Sequence, residues 1–373
     1  MRILLLHNRY RSEGGEERVV RDLQALLAAR GDEVLVLERR SEGVGKVTAA
    51  RALVGGGASP EEIAQVVRAW RADVVHAHNL HPLFGWRALA AARAAGARTV
   101  LHLHNFRLFC AIGVAYRAGA PCFRCRATNT LPGLMFNCRG SVGEAAVYAA
   151  GLHRQQPHIF EHADRLVAVS EATLRRLVDL GMPGDRTSVL ANFVRAPAFA
   201  TVSRAGQGSF ALVSGRVVPE KGFDTAVAAA GIAGVPLVVA GDGPDLGRLR
   251  ALARSADVRF AGWLSPQALA DLRAQAAIVL VPSRSDEACP FSALDALAAG
   301  VPVLASDRGG LPELVTADDL LPPGDGARWG RRLAALWSDR QALQRAGDAA
   351  LQSARVRFSE DVYYERLMEI YGG

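Results

Sequence analysis

The sequence predicts an α/β protein with two doubly wound parallel-sheet domains. Three observations predict this fold. The chain has 373 residues, more than one hydrophobic core usually organises; half of the residues are hydrophobic; and short apolar runs alternate with amphipathic helical stretches. In such folds ligands bind at the carboxyl ends of the strands, so we expect a cleft between two facing domains to hold the site.

The first series of strands is predicted within residues 1–195. The run Arg2–His7 precedes a polar, glycine-bearing loop, Asn8–Gly15, and a helix over Glu16–Arg30 with its apolar residues on one face. The further strands of this series are predicted at Glu33–Glu38, Asp73–Ala77, Thr99–His104 and Arg165–Ser170. Residues 106–140 are polar, rich in cysteine and irregular, and we interpret them as an insert.

The second series is predicted within residues 209–353. Its strands are predicted at Phe210–Ser214, Pro236–Ala240, Val258–Ala261, Ala277–Pro282 and Pro302–Ser306. Between the two series, Arg195–Gly208 is rich in Ala, Ser, Gly and Pro and has no periodicity, so it is interpreted as the linker. The tail, residues 354–373, contains an amphipathic helix over Glu360–Tyr371 that is able to pack back on the first domain.

Charge and composition narrow the classes of partner. The formal net charge is +7, with arginine supplying nearly all of the basic residues: Lys46 and Lys221 are the two lysines. Aromatic residues make up only 6%, which argues against a nucleic-acid binder with interleaved aromatics. The positive balance is compatible with a polyanionic substrate or with peripheral contact at an anionic membrane.

The sequence gives weaker indications of cellular location and of oligomeric state. No run approaches ~20 apolar residues and no export signal is evident, so a cytoplasmic protein is expected, with any membrane contact at the inner face. The sequence leaves the oligomeric state open.

The most informative stretch runs from Val281 to Val303. A strand is predicted to end at Pro282, and a helix to start near Pro290 and stop at Gly300, where proline and glycine fit at least cost. The first amides of such a helix favour phosphate. Glu287 and Asp295 flank this point, and because carboxylates repel phosphate we expect them to hold hydroxyl groups. The pattern therefore predicts a ligand with sugar hydroxyls on either side of a phosphate.

These residues resemble the retaining nucleotide-sugar glycosyltransferases of family 4, whose architecture is GT-B. The resemblance rests on an acidic pair with seven residues between its members, Glu287 and Asp295, before a Gly-x-Pro-Val strand. The second acid is usually glutamate in that family. The family's Gly-Phe-Gly after the first acid is replaced here by Ala288-Cys289-Pro290, followed by Phe291. The resemblance implies that this segment binds the donor.

Further matches follow in the same order along the chain. Ser214–Gly222 resembles the family's diphosphate clamp, in which Gly215, Arg216 and Lys221 face the leaving group. The family pattern places the remaining donor and catalytic positions at the Gly14-Gly15 loop, His104 beside the donor sugar, the turn at Gly241, and Trp263 against the nucleobase.

The resemblance implies transfer of a sugar from a nucleoside diphosphate to a hydroxyl acceptor with retention of anomeric configuration. It implies front-side attack in which the departing phosphate helps to deprotonate the acceptor. The catalytic set is then Glu287, His104, Arg216 and Lys221. No Asp-x-Asp motif is present, and we expect no catalytic metal.

Four cysteines form a separate pattern. Cys110, Cys122, Cys125 and Cys138 have the spacing C-x11-C-x2-C-x12-C, which suits one tetrahedral structural zinc; reduced structural cysteines are the alternative. Cys289 stands apart at the predicted helix start, where a thiol pKa can fall, although it equally serves as a small residue beside phosphate.

Three rival functions remain open at the level of sequence. One is a GT-B sugar-nucleotide epimerase or hydrolase that needs no acceptor. The second is a nucleotide-sugar-binding subunit without turnover, with which the departures at Asp295 and at Ala288–Pro290 are compatible. A zinc-bearing nucleic-acid module is the third, and salt-dependent binding to DNA or RNA would identify it.

Overall fold

The computed structural model describes residues 1–9, 14–253 and 256–372. The middle of the predicted loop Asn8–Gly15, residues 10–13, lies outside them, as does the last residue of the predicted tail. The described chain forms two compact units. Unit 1 comprises Met1–Ala115, Cys122–Ala191 and the end of the chain from Tyr364, and unit 2 comprises Tyr116–Pro121 and Asn192–Tyr363.

Strands and helices alternate along both units. In chain order the strands are β1 (Arg2–Arg9), β2 (Glu33–Arg40), β3 (Val74–Ala77), β4 (Arg98–Leu103), β5 (Tyr116–Arg117), β6 (Ala120–Pro121), β7 (Arg165–Ala168), β8 (Thr187–Val189), β9 (Ala211–Ser214), β10 (Leu237–Ala240), β11 (Val258–Gly262), β12 (Ile278–Val281), β13 (Val303–Ser306) and β14 (Leu320–Leu321). The helices are α1 (Gly15–Ala29), α2 (Lys46–Gly55), α3 (Pro60–Trp70), α4 (Gly85–Ala94), α5 (Leu131–Met135), α6 (Val142–His162), α7 (Glu171–Asp179), α8 (Phe223–Ala233), α9 (Leu246–Leu252), α10 (Pro266–Arg273), α11 (Phe291–Ala298), α12 (Gly326–Ser338), α13 (Arg340–Phe358) and α14 (Glu360–Gly372).

Unit 1 is built on a parallel six-stranded sheet in the order β2-β1-β3-β4-β7-β8. The central strands β1 and β3 are mostly apolar and buried along their middle, as expected for a sheet covered by helices on both faces. Strand order reverses between β1 and β3, so the carboxyl ends of these two strands form the switch point at which ligands bind in open α/β sheets.

Unit 2 has a second parallel six-stranded sheet in the order β11-β10-β9-β12-β13-β14. Its core includes the fully buried Trp329 of α12, which packs with residues of α8 and the central strands. The reversal lies between β9 and β12. The predicted α/β class with two doubly wound parallel sheets is therefore confirmed.

The boundaries differ from the predicted ones for physical reasons. Residues of the predicted linker pack within unit 2, where Ser203 Oγ donates to the Gly300 carbonyl at 2.6 Å and Ala205 is buried. From the predicted insert, the short hairpin β5–β6 groups with unit 2. The tail helix α14 contributes its residues from Tyr364 to unit 1, where the Tyr364 hydroxyl donates to Asp32 at 3.0 Å.

Among the described residues, no helix combines the length and the apolar character that a bilayer span requires.

Two helical glycines allow the packing of residues 196–208 on unit 2 to be tested. A Cβ on Gly347 of α13 would lie 2.2 Å from Ser203 Oγ and 2.4 Å from the Gly300 carbonyl oxygen. One on Gly247 of α9 would meet none of the described residues within 4 Å. Because alanine favours helices over glycine by up to about 1 kcal/mol, Gly247→Ala should leave the stability of unit 2 unchanged or raise it. We expect Gly347→Ala to lower it by about 1–3 kcal/mol through overpacking.

The measurement is chemical denaturation followed by circular dichroism, with each unit's transition fitted separately. Equal stability of the two alanine variants would contradict the packing of Ser203 against α13.

Candidate functional site

The polar loops of unit 2 meet at the carboxyl ends of β9 and β12, the switch point of its sheet. The loop after β9 contains Gly215, Arg216 and Lys221, and the loop after β12 leads through Glu287 to α11. The two loops are joined by backbone bonds, since the amide of Arg284 donates to the Glu220 carbonyl at 2.8 Å. The sequence-predicted clamp and the first predicted acid are therefore brought to one end of one sheet.

Glycines fix the path of the loop that carries Arg216. Gly215 and Gly241 have φ of +137° and +144°, values that L side chains rarely adopt. A Cβ on Gly241 would lie 1.9 Å from the Gly215 carbonyl oxygen, so only glycine fits there. The Gly215 amide in turn donates to the Ala240 carbonyl at 3.0 Å. The loops after β9 and β10 are thus packed backbone to backbone.

Lys221 and Glu287 form the central ion pair of this end of the sheet. Lys221 Nζ lies 2.6 Å from Glu287 Oε1, and the hydroxyl of Ser283 donates to the same oxygen at 2.5 Å. The backbone of Glu287 is held as well, because its carbonyl accepts from the Gly310 amide at 2.7 Å. Within the described ranges, both polar contacts of the carboxylate end on Oε1.

The ionisation of Glu287 is set by opposing effects. Burial of the side chain, the largest effect, would raise its pKa. The ammonium of Lys221, hydrogen bonds from Lys221 and Ser283, and the charge of Arg216 together outweigh burial, so the pKa of Glu287 lies below its ordinary value. Glu287 is therefore a carboxylate throughout the neutral range and acts as an acceptor of hydrogen bonds.

Arg216 is exposed, and its guanidinium makes no ion pair or hydrogen bond with residues in the described ranges. Its charge nevertheless contributes to the lowered pKa of Glu287, which places it near the Lys221–Glu287 pair. An arginine fork so exposed beside a buried ion pair is suited to bidentate binding of phosphate oxygens.

The segment before α11 has the predicted geometry. Pro290 is the N-cap, the helix runs over Phe291–Ala298, and Gly300 follows it with φ of +68°. Proline has no side-chain acceptor with which to cap the first amides. The Cys289 carbonyl accepts from Asn192 Nδ2 at 2.9 Å, which fixes the loop that includes Ala288. Phosphate binding by these amides stays a prediction.

The expectation that the helix start lowers the pKa of Cys289 is wrong. The thiol is buried, and burial raises its pKa to about 12. Cys289 is therefore a neutral, buried residue. The other interpretation, a small residue beside phosphate, stays a prediction.

Two other predicted donor residues lie apart from the ion pair. Asp295, in the second turn of α11, forms an ion pair with Arg273 of α10 at 3.3 Å, with both side chains about nine-tenths buried. Trp263 follows β11 and is 74% exposed. A tryptophan this exposed has a ring face available for stacking. Contact of Trp263 with a nucleobase and of Asp295 with a ribose both stay predictions.

Unit 1 contains a small cavity, open to solvent, at the carboxyl ends of β3 and β4. Its polar lining includes His78, His81, His104, Glu16 and Arg107. Glu16 accepts from Asn105 Nδ2 at 3.2 Å. Glu16, Asn105 and Arg107 were not singled out for this site by sequence reasoning. The signal that could have found them is the position of Asn105 and Arg107 soon after the end of β4 and of Glu16 in the first turn of α1.

The predicted glycine loop lies at the start of α1 in the same unit. Gly14 is the N-cap, and its amide donates to Glu17 Oε2 at 2.8 Å, which closes a capping box. Gly14 and Gly15 are both exposed. Among the described residues, a Cβ on Gly14 would meet this carboxylate alone, at an ordinary 3.4 Å. The described part of the chain therefore does not require glycine at position 14, and close approach of a ligand stays a prediction.

His104 belongs to a group of stacked imidazoles. Its Nε2 lies 2.9 Å from Nδ1 of His78, so one ring donates and the other accepts. Its Nδ1 is buried without a hydrogen-bond partner in the described part of the chain. Burial, followed by the neighbouring histidines, lowers the pKa of His104 well below its ordinary value. At neutral pH His104 is therefore an uncharged side chain that lines the cavity.

The four clustered cysteines are reduced and partly exposed. Burial raises the pKa of Cys125 to about 11, opposed by a hydrogen bond from the Gly133 amide and reinforced by the other three thiols, which places all four in one neighbourhood. Within the described ranges, however, no three of their sulfurs lie within 4.8 Å of one another. Binding of one zinc ion would therefore require the four sulfurs to move closer together.

Two family models match the two halves of the chain. Residues 13–196 match the model described as Glycosyltransferase Family 4, and residues 198–353 match the model described as Glycosyl transferases group 1.

Relatives with assigned activities cover parts of the chain. D-inositol 3-phosphate glycosyltransferase of Nocardia farcinica (strain IFM 10152) is 35% identical over 246 residues, 58% of this chain and 54% of that protein. GDP-mannose-dependent alpha-mannosyltransferase of Mycobacterium tuberculosis (strain CDC 1551 / Oshkosh) is 32% identical over 181 residues, 45% of this chain and 46% of that protein. The chain thus spans about half the length of these curated relatives.

A solved structure is similar over the whole chain. Anabaena Alr3699/HepE in complex with UDP has a TM-score of 0.67 and 18% identity, and the match covers 99% of both chains. At this identity the likeness shows a common fold. Because the two family models together span residues 13–353 with residue 197 alone between them, the chain belongs to the family 4 glycosyltransferases.

Proposed function

We propose that this protein transfers a sugar from a nucleoside-diphosphate donor to a hydroxyl acceptor with retention of configuration. The observation that carries the proposal is the group formed by Arg216, Lys221 and ionised Glu287 at the switch point of unit 2. The acceptor is a glycan, a lipid-linked sugar or a natural product. The UDP bound to the Anabaena structure supports a nucleoside diphosphate as the donor's leaving group.

The proposed reaction breaks the bond between the anomeric carbon and the β-phosphate oxygen. The new bond from the acceptor oxygen forms on the same face, and the acceptor proton passes to the departing phosphate. Negative charge builds on that phosphate and is met by Arg216, Lys221 and the first amides of α11. Fixed charges of this kind stabilise the transition state without solvent reorganisation, and we propose that no metal takes part in transfer.

The remaining donor contacts follow from the positions of their side chains. We propose that Oε2 of Glu287 accepts from a donor hydroxyl and that exposed Trp263 stacks on the base. Asp295 is assigned to a ribose hydroxyl while it keeps its ion pair with Arg273. Gly215 and Gly241 let the backbone approach the ligand.

We propose that the cavity of unit 1 binds the acceptor and that His104 contacts the reacting sugar. The support is that His104 lines this cavity with an unsatisfied Nδ1 and is uncharged at neutral pH. An uncharged imidazole exchanges hydrogen bonds with hydroxyl groups in either sense.

We also propose that Cys110, Cys122, Cys125 and Cys138 bind one structural zinc ion. The support is their spacing, their common neighbourhood and the Gly133 amide directed at the Cys125 sulfur. Four thiolates fill a tetrahedral site and leave no open position for catalysis.

Peripheral contact with an anionic membrane from the inner face is proposed for the same region. Leu131, Met135 and Val142 are each more than half exposed there, and basic Arg124 and Arg126 are exposed on the same segment. Apolar side chains beside cations suit a surface that offers both acyl chains and negative headgroups.

The transfer itself is tested by incubating the protein with UDP-, GDP- and ADP-sugars, with and without hydroxyl acceptors. We expect release of one nucleoside diphosphate that depends on an acceptor, and a product whose NMR coupling shows the donor's anomeric configuration. An epimerised or hydrolysed sugar without acceptor would establish the epimerase or hydrolase instead. A nucleotide-dependent rise in melting temperature without turnover on any acceptor would establish a binding subunit.

The clamp is tested by Arg216→Ala and Lys221→Ala. Each removes a charge-assisted contact to the leaving group, so turnover should fall about tenfold or more in each variant. Initial rates at saturating donor measure the effect.

Arg328→Ala is the matched control, because Arg328 is an exposed arginine of α12 paired with Asp325 in the same unit. Unchanged rates in both clamp variants would refute the clamp. Equal losses in Arg328→Ala would show that the effect is not specific to the site.

The zinc proposal predicts about one zinc per chain at the cysteine cluster in purified protein. Cys122→Ser should lose this ion and lower the melting temperature, because metal binding is coupled to folding. Cys289→Ser is the control, since it removes the cysteine outside the cluster. The zinc content of both variants is measured by elemental analysis and by a zinc-binding dye after a thiol-reactive reagent releases the ion. Wild-type protein without zinc would refute the site.

A further inference from the structure

Three buried histidines lie on one face of the unit 1 sheet. His76 lies in β3 and His78 follows its end two residues later, so the two side chains point to the same face of the sheet. His102 of β4 lies opposite His78, because Ala77 pairs with Leu101 in the parallel register. Residues directly opposite each other in neighbouring parallel strands share a face. One ring nitrogen from each of the three lies within 4.8 Å of the others.

The polar contacts of these rings orient them in the way that partners of metal-binding histidines do. Nδ1 of His76 lies 2.7 Å from the Tyr371 hydroxyl, and Nδ1 of His78 lies 2.9 Å from Nε2 of His104. Metal binding at Nε2 of either ring requires that its Nδ1 carry the proton and donate in this contact, as in metal-binding histidines held by an outer partner.

The opposite nitrogens of the same rings are unsatisfied. Nε2 of His76 and Nε2 of His78 are buried and make no hydrogen bond with residues that the structure describes. His76 and His102 are fully buried, and His78 is 3% exposed. A buried polar atom without a partner is uncommon and destabilises the folded state, so a ligand that satisfies several of them at once is favoured energetically.

We propose that His76, His78 and His102 bind one divalent first-row transition-metal ion, with Zn²⁺ as the principal candidate. Three imidazole nitrogens at about 2.0–2.1 Å are a recurrent zinc donor set. The rings lie within 27° of parallel, at centroid distances of 4.5–5.6 Å, so binding requires a turn about χ2 to converge their lone pairs. This torsion is broad in histidine, which keeps the cost of the turn low.

An ion has a route to these ligands. His78 and His102 also line the open cavity of unit 1, which supplies access from solvent and a water as a fourth ligand. The site differs from the proposed cysteine site in its donors, which are nitrogens only, and it shares the cavity of unit 1 with the proposed acceptor site.

The test uses Co²⁺ as a spectroscopic substitute for Zn²⁺ on full-length protein stripped of metal. In a Cys122→Ser/Cys125→Ser background the cysteine site is removed. We expect one equivalent of Co²⁺ to bind there with visible d–d bands and without the intense near-ultraviolet band of thiolate ligation. His102→Phe in that background should weaken binding by at least about a hundredfold, beyond the 10- to 100-fold typical of losing an outer partner.

His81→Phe is the matched control, because His81 is buried and lines the same cavity outside the group of three. It should retain the ion. Absence of Co²⁺ binding in the cysteine-free background, or equal binding by the His102 and His81 variants, overturns the proposal.

A second measurement needs no histidine variant and therefore does not depend on whether one folds. Copper(II) added to the same cysteine-free background at one equivalent should show electron paramagnetic resonance splitting from three imidazole nitrogens. A spectrum of oxygen ligation alone overturns the site.

Discussion

The ion pair between Lys221 and Glu287 is the interaction on which the polar end of unit 2 depends. It joins the loop after β9 to the loop after β12, and Ser283 and the Gly310 amide fix the glutamate from either side. Because the pKa of Glu287 is lowered, this pair contributes stability above the ordinary pKa of a glutamate and loses it only as pH falls through the folded value. The pair is thus intact at every pH near neutrality.

The two units present different chemistry at their strand ends. Unit 2 gathers fixed charges, which suit a diphosphate. Unit 1 gathers uncharged imidazoles with Glu16 and Arg107 around a cavity, which suits hydroxyl groups. This difference accounts for the division of roles in the proposed reaction, in which one unit stabilises the leaving group and the other selects the acceptor.

Most of the fold was predictable because buried parallel strands are continuous apolar runs. Each of the ten predicted strands is present, with ends that differ by a few residues. The edge strands β8 and β14 were missed because they are two or three residues long, and β8 is only half buried. The segment 196–208 has no periodicity, so the contact of Ser203 with Gly300 had no sequence signal.

The residues of the candidate site also fall into a predictable and an unpredictable group. Arg216, Lys221 and Glu287 were predictable because motif spacing and strand ends together place them at one point. Ser283 was not, because nothing in its sequence position distinguishes it from a loop serine. The pairing of Asp295 with Arg273 and the burial of the Cys289 thiol depend on the packing of α10 and α11, which periodicity does not reveal.

The scarcity of lysine has a practical consequence for chemical labelling. The Lys221 side chain is 28% exposed and its ammonium is bound to Glu287, whereas that of Lys46 is 81% exposed and meets Glu144 only at the surface. An amine-reactive dye requires a deprotonated, accessible nitrogen, so of the two lysines Lys46 is the one that should react. A fluorophore attached there would report from unit 1 while leaving the charged end of unit 2 chemically intact.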